Sequence, residues 1–322
     1  MDSKDSKFRI LMLHGFATSS IEFHAKSSRI TKRITDLLTP EILHEFPDGI
    51  EFLYPDGPYV VEPPSGFGEN DNTDHASSHA DIPFRAWWYG LDTVNRYRGI
   101  EFSLSCVAKY IHGRPIHAIV GFSQGASLAG MVCSMLESKN NLDKIAAIRS
   151  QNLPVDEYLR LPGQESLRFL IGLGGYCGTL KYYGSLYRWP IQTPSCHTIA
   201  EFDAMVDHCL TLQYAHQFCS FELVHYYGYH YTPRDRASVG SIARFALRNC
   251  YAEPAASQFP PVAASSSQSS SDGDSSIVMK ADRSAGAYPV LRRSRNIRLG
   301  PRRAYRQASY SSPKLQSMVL AI

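Results

Sequence analysis

Long apolar runs are missing from this 322-residue chain, and no stretch approaches the roughly 20 residues that a membrane-spanning helix requires. The opening MDSKDSKFRILMLHGF is charged, and its apolar run is too short for the core of a secretory signal. Cysteine is sparse: seven residues, at 106, 133, 177, 196, 209, 219 and 250. The number is odd and none forms C-x-x-C, which removes the usual support for a zinc or dithiol redox site. Reduced, mostly buried thiols in a cytoplasmic protein are the simplest account. A strong charge of one sign is also lacking. The net +3 hides a division, because from Pro254 onward ten Lys/Arg face three Asp, leaving about −4 on the first 253 residues. A mildly acidic body gives no reason to expect a nucleic-acid partner.

What is present up to about Glu253 is an alternation of strands and helices without internal repeats. Phe8–Leu13, Ile50–Tyr54, Ile116–Val120, Arg168–Leu173 and Phe221–His225 are short, largely apolar runs that read as strands, and Ser195–Ile199 gives a weaker strand signal. A helix is expected after Ser19 or Ser20, with Pro40 ending the run. Others are expected over Gly99–Ile111, Ala126–Leu136, Asp207–Phe218 and Arg236–Arg248. Such alternation predicts an α/β fold with a mostly parallel sheet covered on both faces. Residues 55–92 read as a long loop rich in Pro, Gly, Asn, Asp and His, of the kind that walls or covers a site. Its Asp71, Asp74, His75, His79 and Asp81 match no metal-ligand spacing, so the cluster is read as a solvated loop and no metal or cofactor is expected. The chain divides into an extension at 1–7, a folded domain at 8–253 and a tail at 254–322. The tail begins Ser-rich and low in complexity, turns basic with interleaved Tyr, and is expected to be disordered.

The most informative stretch is Gly121-Phe122-Ser123-Gln124-Gly125. G-x-S-x-G arises by chance in roughly one chain in ten of this length, so the motif alone decides little. Its flanks decide more: a buried strand runs into it and an Ala/Leu/Met-rich helix leaves it, which is the setting of a nucleophile elbow. There the serine sits on a sharp turn with its Oγ exposed, and glycines stand where a Cβ would strike the neighbouring strand or helix. The backbone N–H of Gln124, at a helix start, faces the position where an oxyanion develops.

A serine hydroxyl needs a base, and the base an orienting acid. In the α/β-hydrolase arrangement both follow the serine, acid before histidine. His197-Thr-Ile-Ala-Glu-Phe-Asp203 delivers a carboxylate just past a strand, with Glu201 and Asp207 as rivals. Val224-His-Tyr-Tyr-Gly-Tyr-His230 delivers a loop histidine before the last helix, while the rival His225 falls within the strand. The second oxyanion donor is expected after the first strand, from the N–H of Phe16 or, second, Ala17. His14 reads as a buttress of that loop. Phe84, Trp87, Trp88 and Tyr89 either wall an acyl pocket or pin the long loop to the core.

These segments together resemble the fungal and eukaryotic "family of serine hydrolases", small α/β-hydrolases related to the ovarian-tumour-suppressor-candidate hydrolase. The resemblance rests on ILMLHGF at 10–16, Asp-Gly-Pro at 56–58, GFSQGASLA at 121–129, H-x-x-x-E-x-D at 197–203 and His-Tyr-Thr-Pro at 230–233, and spans roughly residues 8–250. It implies a Ser123–Asp203–His230 triad and a hydrolase fold with little or no cap domain. It also implies a small-molecule ester or acyl thioester as substrate, with a carrier-bound acyl or polyketide chain of fungal secondary metabolism as the favoured class. General carboxylesterase activity is the second expectation, and a non-catalytic ligand-binding scaffold the third. Two departures stand out: Tyr229 precedes His230 where the family tends to have glycine, and Ala200 replaces a usual glycine before the acidic residue.

Overall fold

Alternate side chains of β1 (Phe8–Leu13) face opposite ways, and that simple period organises the whole molecule. Ile10 and Met12 enter one apolar cluster, while Leu11 and Leu13 enter another on the far side of the sheet. This computed structural model describes residues 6–62, 83–91, 93–178, 180–251 and 278–282.

After β1 come α1 (Ser20–Asp36), α2 (Pro40–Glu45) and β2 (Ile50–Leu53). Four very short strands follow: β3 (Tyr59–Val60), β4 (Arg85–Ala86), β5 (Tyr89–Leu91) and β6 (Tyr97–Arg98). Then α3 (Ile100–Ile111) leads to β7 (Ala118–Phe122) and α4 (Gln124–Leu136). The short helices α5 (Leu142–Arg149) and α6 (Val155–Leu159) precede β8 (Phe169–Leu173) and α7 (Leu180–Tyr187). The last elements are β9 (Ser195–Ala200), α8 (His208–Ala215), β10 (Ser220–Tyr226), α9 (Arg236–Asn249) and β11 (Val278–Asp282).

Among the described residues the main sheet has the order β11-β10-β9-β8-β7-β1-β2. Every pairing from β2 across to β10 is parallel, and β11 alone is antiparallel. The strand order reverses between β1 and β7, the kind of switch point where open α/β sheets place their sites beyond the strands' carboxyl ends. Phe23, Ile30 and Ile34 of α1 pack with Val239, Ile242 and Phe245 of α9 on one face, and α3, α4, α6 and α8 cover the other. This is the α/β-hydrolase fold.

The helix expected after Ser19 is closed by a capping box: Glu22 N–H donates to Ser19 Oγ and the Glu22 carboxylate accepts from Ser19 N–H. That helix stops at Asp36, short of Pro40, which instead occupies the first turn of α2, where its missing N–H costs nothing. Two expectations need correction. The long loop at 55–92 carries short strands, with β3 paired to β4 and β5 opening the pairing to β6. The stretch read as a disordered tail includes β11, whose backbone extends the sheet beside β10. Residues 63–82, which hold the Asp/His cluster of the long loop, and the rest of the tail lie outside the described residues.

Candidate active site

β7 ends at Phe122 and α4 begins at Gln124, so Ser123 alone makes the turn between them. Its φ of 53° and ψ of −119° lie in a region that side chains other than glycine avoid, at a cost of order 1–3 kcal/mol. The surroundings enforce this conformation. Ser123 N–H donates to the Leu173 carbonyl at 2.9 Å, while its own carbonyl accepts from Ala126 and Ser127. A Cβ on Gly121 would collide with Gly125 and Ala126, and one on Gly125 with the Leu13 and His14 carbonyls. The elbow packs backbone against backbone, which leaves both positions to glycine.

β9 and β10 bring the other two groups to the same edge. Ser123 Oγ lies 2.8 Å from His230 Nε2, and His230 Nδ1 lies 2.8 Å from Asp203 Oδ2. The remaining oxygen of Asp203 accepts the N–H groups of Met205 and Val206, each at 2.9 Å. Burial works to raise the Asp203 pKa, but the hydrogen bond and charge of His230 and the two backbone donors outweigh it and hold the carboxyl below its ordinary value. His230 sits at the centre of a three-residue turn closed by Tyr231 N–H on the Tyr229 carbonyl at 2.8 Å. Its ring stands 5.0 Å from that of Phe122. On another side is Gly174, where a Cβ would lie 3.4 Å from the imidazole.

The rivals are placed elsewhere. Glu201 is exposed, and Asp207 caps α8, its carboxylate accepting Cys209 N–H at 2.7 Å. Asp207 therefore stands just before the helix in which the sequence had placed it. His225 points to solvent from within β10.

The loop after β1 faces the elbow. His14 Nδ1 bonds the Gly15 carbonyl at 2.7 Å, and His14 Nε2 accepts Gly57 N–H at 2.8 Å. That pattern fixes one neutral tautomer, with the proton on Nδ1. Burial lowers the His14 pKa to about 4, with the Gly15 carbonyl opposing, so the ring stays neutral near pH 7. Asp56, in the Asp-Gly-Pro step, accepts Ser20 N–H at 2.7 Å and ties the loop after β2 to the start of α1. Among the described residues the backbone N–H groups of Phe16 and Gln124 make no internal hydrogen bond. Two free donors beside a serine form the kind of cradle that holds an alkoxide oxygen.

The aromatic cluster departs from the pocket expectation. Trp87 and Trp88 are 0 % exposed, and a ring without accessible surface cannot line an open pocket. They pin the loop to the core instead. Gln124 is the clamp, its Oε1 accepting Trp87 N–H at 2.8 Å and its Nε2 donating to the Trp88 carbonyl at 3.1 Å. Trp87 Nε1 donates to the His14 carbonyl at 2.9 Å. Phe84 is half-buried, and Tyr89 lies against Tyr59 at the surface. The sequence reading missed the Gln124 clamp, the two amides on Asp203 and the approach of Gly174. Only Gly174 left a signal, as the first of two glycines directly after a buried strand.

The departures at 200 and 229 prove harmless to the geometry. Ala200 is buried at the end of β9 without disturbing the pairing with β10. Tyr229 sends its side chain into solvent, and a Cβ would instead meet the Tyr226 and Tyr231 rings at the neighbouring Gly228.

Comparison with known proteins places the chain in a family. The sequence pattern described as Serine hydrolase (FSH1) matches residues 1–242. Esterase OVCA2 of Homo sapiens is 25 % identical over 236 residues, covering 70 % of this chain and 89 % of its own. Family of serine hydrolases 3 of Saccharomyces cerevisiae is 24 % identical over 208 residues, covering 62 % of this chain and 68 % of its own. Among solved structures, acyl-protein thioesterase 2 of Zea mays is 16 % identical with a TM-score of 0.46, covering 78 % of this chain and 97 % of its own. With a family pattern spanning three quarters of its length, the chain belongs to the serine hydrolase (FSH1) family.

Proposed function

We propose that this serine hydrolase cleaves a carboxylic ester or thioester through an acyl-serine intermediate, with Ser123 as nucleophile, His230 as base and Asp203 as orienting acid. The observation that carries this reading is the unbroken hydrogen-bond relay Ser123 Oγ–His230–Asp203, with both links at 2.8 Å. His230 Nε2 takes the Ser123 proton as Oγ attacks the carbonyl carbon. The N–H groups of Gln124 and Phe16 hold the resulting oxyanion. His230 then returns the proton to the departing oxygen or sulfur, and the C–O or C–S bond breaks. Water, activated by the same imidazole, releases the acid and restores the serine. Asp203 keeps Nδ1 protonated and stabilises the imidazolium. A retired binding scaffold has no need for all three groups within hydrogen-bond reach.

Two substrate readings follow. Release of an acyl or polyketide chain from a carrier-bound thioester, in cytoplasmic fungal secondary metabolism, is supported by the motif resemblance of residues 8–250. Hydrolysis of small or lipid-like oxygen esters is supported by the human relative, which is described as an esterase.

A panel of acyl thioesters and oxygen esters of increasing chain length, assayed with wild type and Ser123→Ala, separates them. Serine-dependent turnover favouring long thioesters supports chain release, and preference for oxygen esters supports the second reading. Turnover that survives Ser123→Ala sinks the mechanism.

A further inference from the structure

The two backbone donors assigned to the oxyanion belong to parts of the chain that share no element. Phe16 lies in the turn after β1, and Gln124 opens α4. A cradle works only when both N–H groups meet one oxygen at about 2.7–3.1 Å. A shift of about 1 Å at such a site costs on the order of a hundredfold in rate. Gln124 is held by its helix, but Phe16 has no ladder of its own. It shares a turn with Ala17, which stands at a left-handed φ of 50°.

Residues 85–88 reach both donors. On the β1 side, Arg85 N–H donates to the Thr18 carbonyl at 2.9 Å and Thr18 N–H to the Arg85 carbonyl at 3.3 Å. Trp87 Nε1 donates to the His14 carbonyl at 2.9 Å, and its ring stacks on the His14 imidazole at 4.9 Å. Phe16 is midway in sequence between these two anchors, His14 and Thr18. On the α4 side, Trp87 N–H donates to Gln124 Oε1, while Gln124 Nε2 donates to the Trp88 carbonyl. Trp87 is the residue common to both sides. A third anchor holds it from α3, where Ser103 Oγ donates to the Trp87 carbonyl.

We propose that Trp87 is a positioning residue that fixes the spacing of the Phe16 and Gln124 amides by bonding the segment that carries each. The inference rests on the hydrolase reading above. With no accessible surface, Trp87 touches no substrate and acts only through the amides it holds. Those amides meet a charge that develops in the transition state, so displacing them lowers kcat and leaves KM nearly untouched. Trp88 supplies the contrast. It is equally buried and adjacent in the chain, and its ring stacks on Tyr97 at 4.5 Å. Among the described residues its Nε1 has no hydrogen-bond partner, so its indole fills the core and bonds neither donor segment.

The test uses Trp87→Phe, which keeps an aromatic ring but removes the Nε1 donor, on the ester that wild type turns over best. The variant is expected to lower kcat about 10–100-fold with KM within about twofold of wild type. The Ki of a trifluoromethyl ketone, which adds to the serine as a tetrahedral alkoxide, should rise by a similar factor. The pH midpoint of kcat/KM, set by His230, should stay in place because the relay is intact. Trp88→Phe removes a comparable volume from the same core and is expected to change kcat by less than about threefold. Ser103→Ala frees the Trp87 carbonyl at a smaller change in volume, and is expected to lower kcat about 3–10-fold with the same signature. It decides the matter if a thermal scan shows Trp87→Phe to be unfolded. An unchanged kcat in the folded variants, an equal loss in Trp88→Phe, or a moved pH midpoint overturns the proposal. Fluorophosphonate labelling separates the two levels. Normal labelling of Ser123 with kcat unchanged in the variants removes only the role of Trp87. No labelling and no serine-dependent turnover in wild type removes the hydrolase mechanism and this role with it.

Discussion

Ser123 holds a backbone conformation that serine adopts only under constraint, and the constraint comes from residues with no reactive group of their own. The carboxylate of Asp203 is similarly shaped by neighbours, because two backbone amides occupy one oxygen and leave the other for His230. Asp203→Asn keeps this shape but reverses a donor. It is expected to lower kcat by roughly 10³–10⁴-fold with little change in melting temperature, as steady-state kinetics beside a thermal scan would read. Two further histidines bear on stability rather than turnover. Burial lowers His14 to about 4 and His197 to about 3. Below about pH 6.5 the unfolded chain binds protons that the folded chain refuses, so stability falls as pH drops. Between pH 7 and pH 5 each histidine accounts for about 2 kcal/mol of loss, present in full at neutral pH. Urea titrations at the two pH values should show the combined effect, and a His14→Gln variant should show a shallower slope. An equal slope would mean that the His14 ring takes up its proton in the folded state.

At the scale of elements, the contact between β1 and the start of α4 is the tightest constraint near the site. Gly125→Ala would drive a methyl group into the Leu13 carbonyl. The expected cost is about 3 kcal/mol or more, seen as a melting temperature roughly 6–12 °C lower together with lost fluorophosphonate labelling. Much of this layer was legible in the sequence. The strands β1 and β8 lie within a residue of their apolar runs, because burial on both faces of a parallel sheet leaves a continuous hydrophobic signature. The elbow was legible for a different reason: its glycines answer to backbone collisions that no other residue survives. The helices α5, α6 and α7 were missed. Each has eight residues or fewer, α5 buries a lysine, and α7 carries a glycine and a non-helical residue at Tyr183. Their conformation is imposed by packing rather than by local preference. The same holds for Trp87 and Trp88, whose composition fitted a pocket wall and a core plug equally well. Only the Gln124 contacts decide between them.

At the scale of the molecule, charge and sheet order divide the chain unevenly. Five loops, after β1, β7, β8, β9 and β10, converge on one edge of the sheet, and β11 closes the far side of β10. Truncation after Tyr251 should leave the Ser123 relay assembled but expose β10 as an open edge. Hydrogen exchange is expected to quicken at alternate amides of β10 while β7 and β8 stay protected, and unchanged protection of β10 would show that β11 contributes nothing to it. The wide spacing of the reactive groups has a consequence for synthesis. Ser123 and His230 are 107 residues apart in sequence yet in direct contact, and β10 must dock before that contact exists. On the proposed mechanism, a chain emerging from the ribosome carries Ser123 for a long interval without His230, and hydrolytic competence is expected to arrive in one late step with the last parallel strand. Every truncated product ending before β10 lacks His230 and is, on the proposed mechanism, expected to be inert.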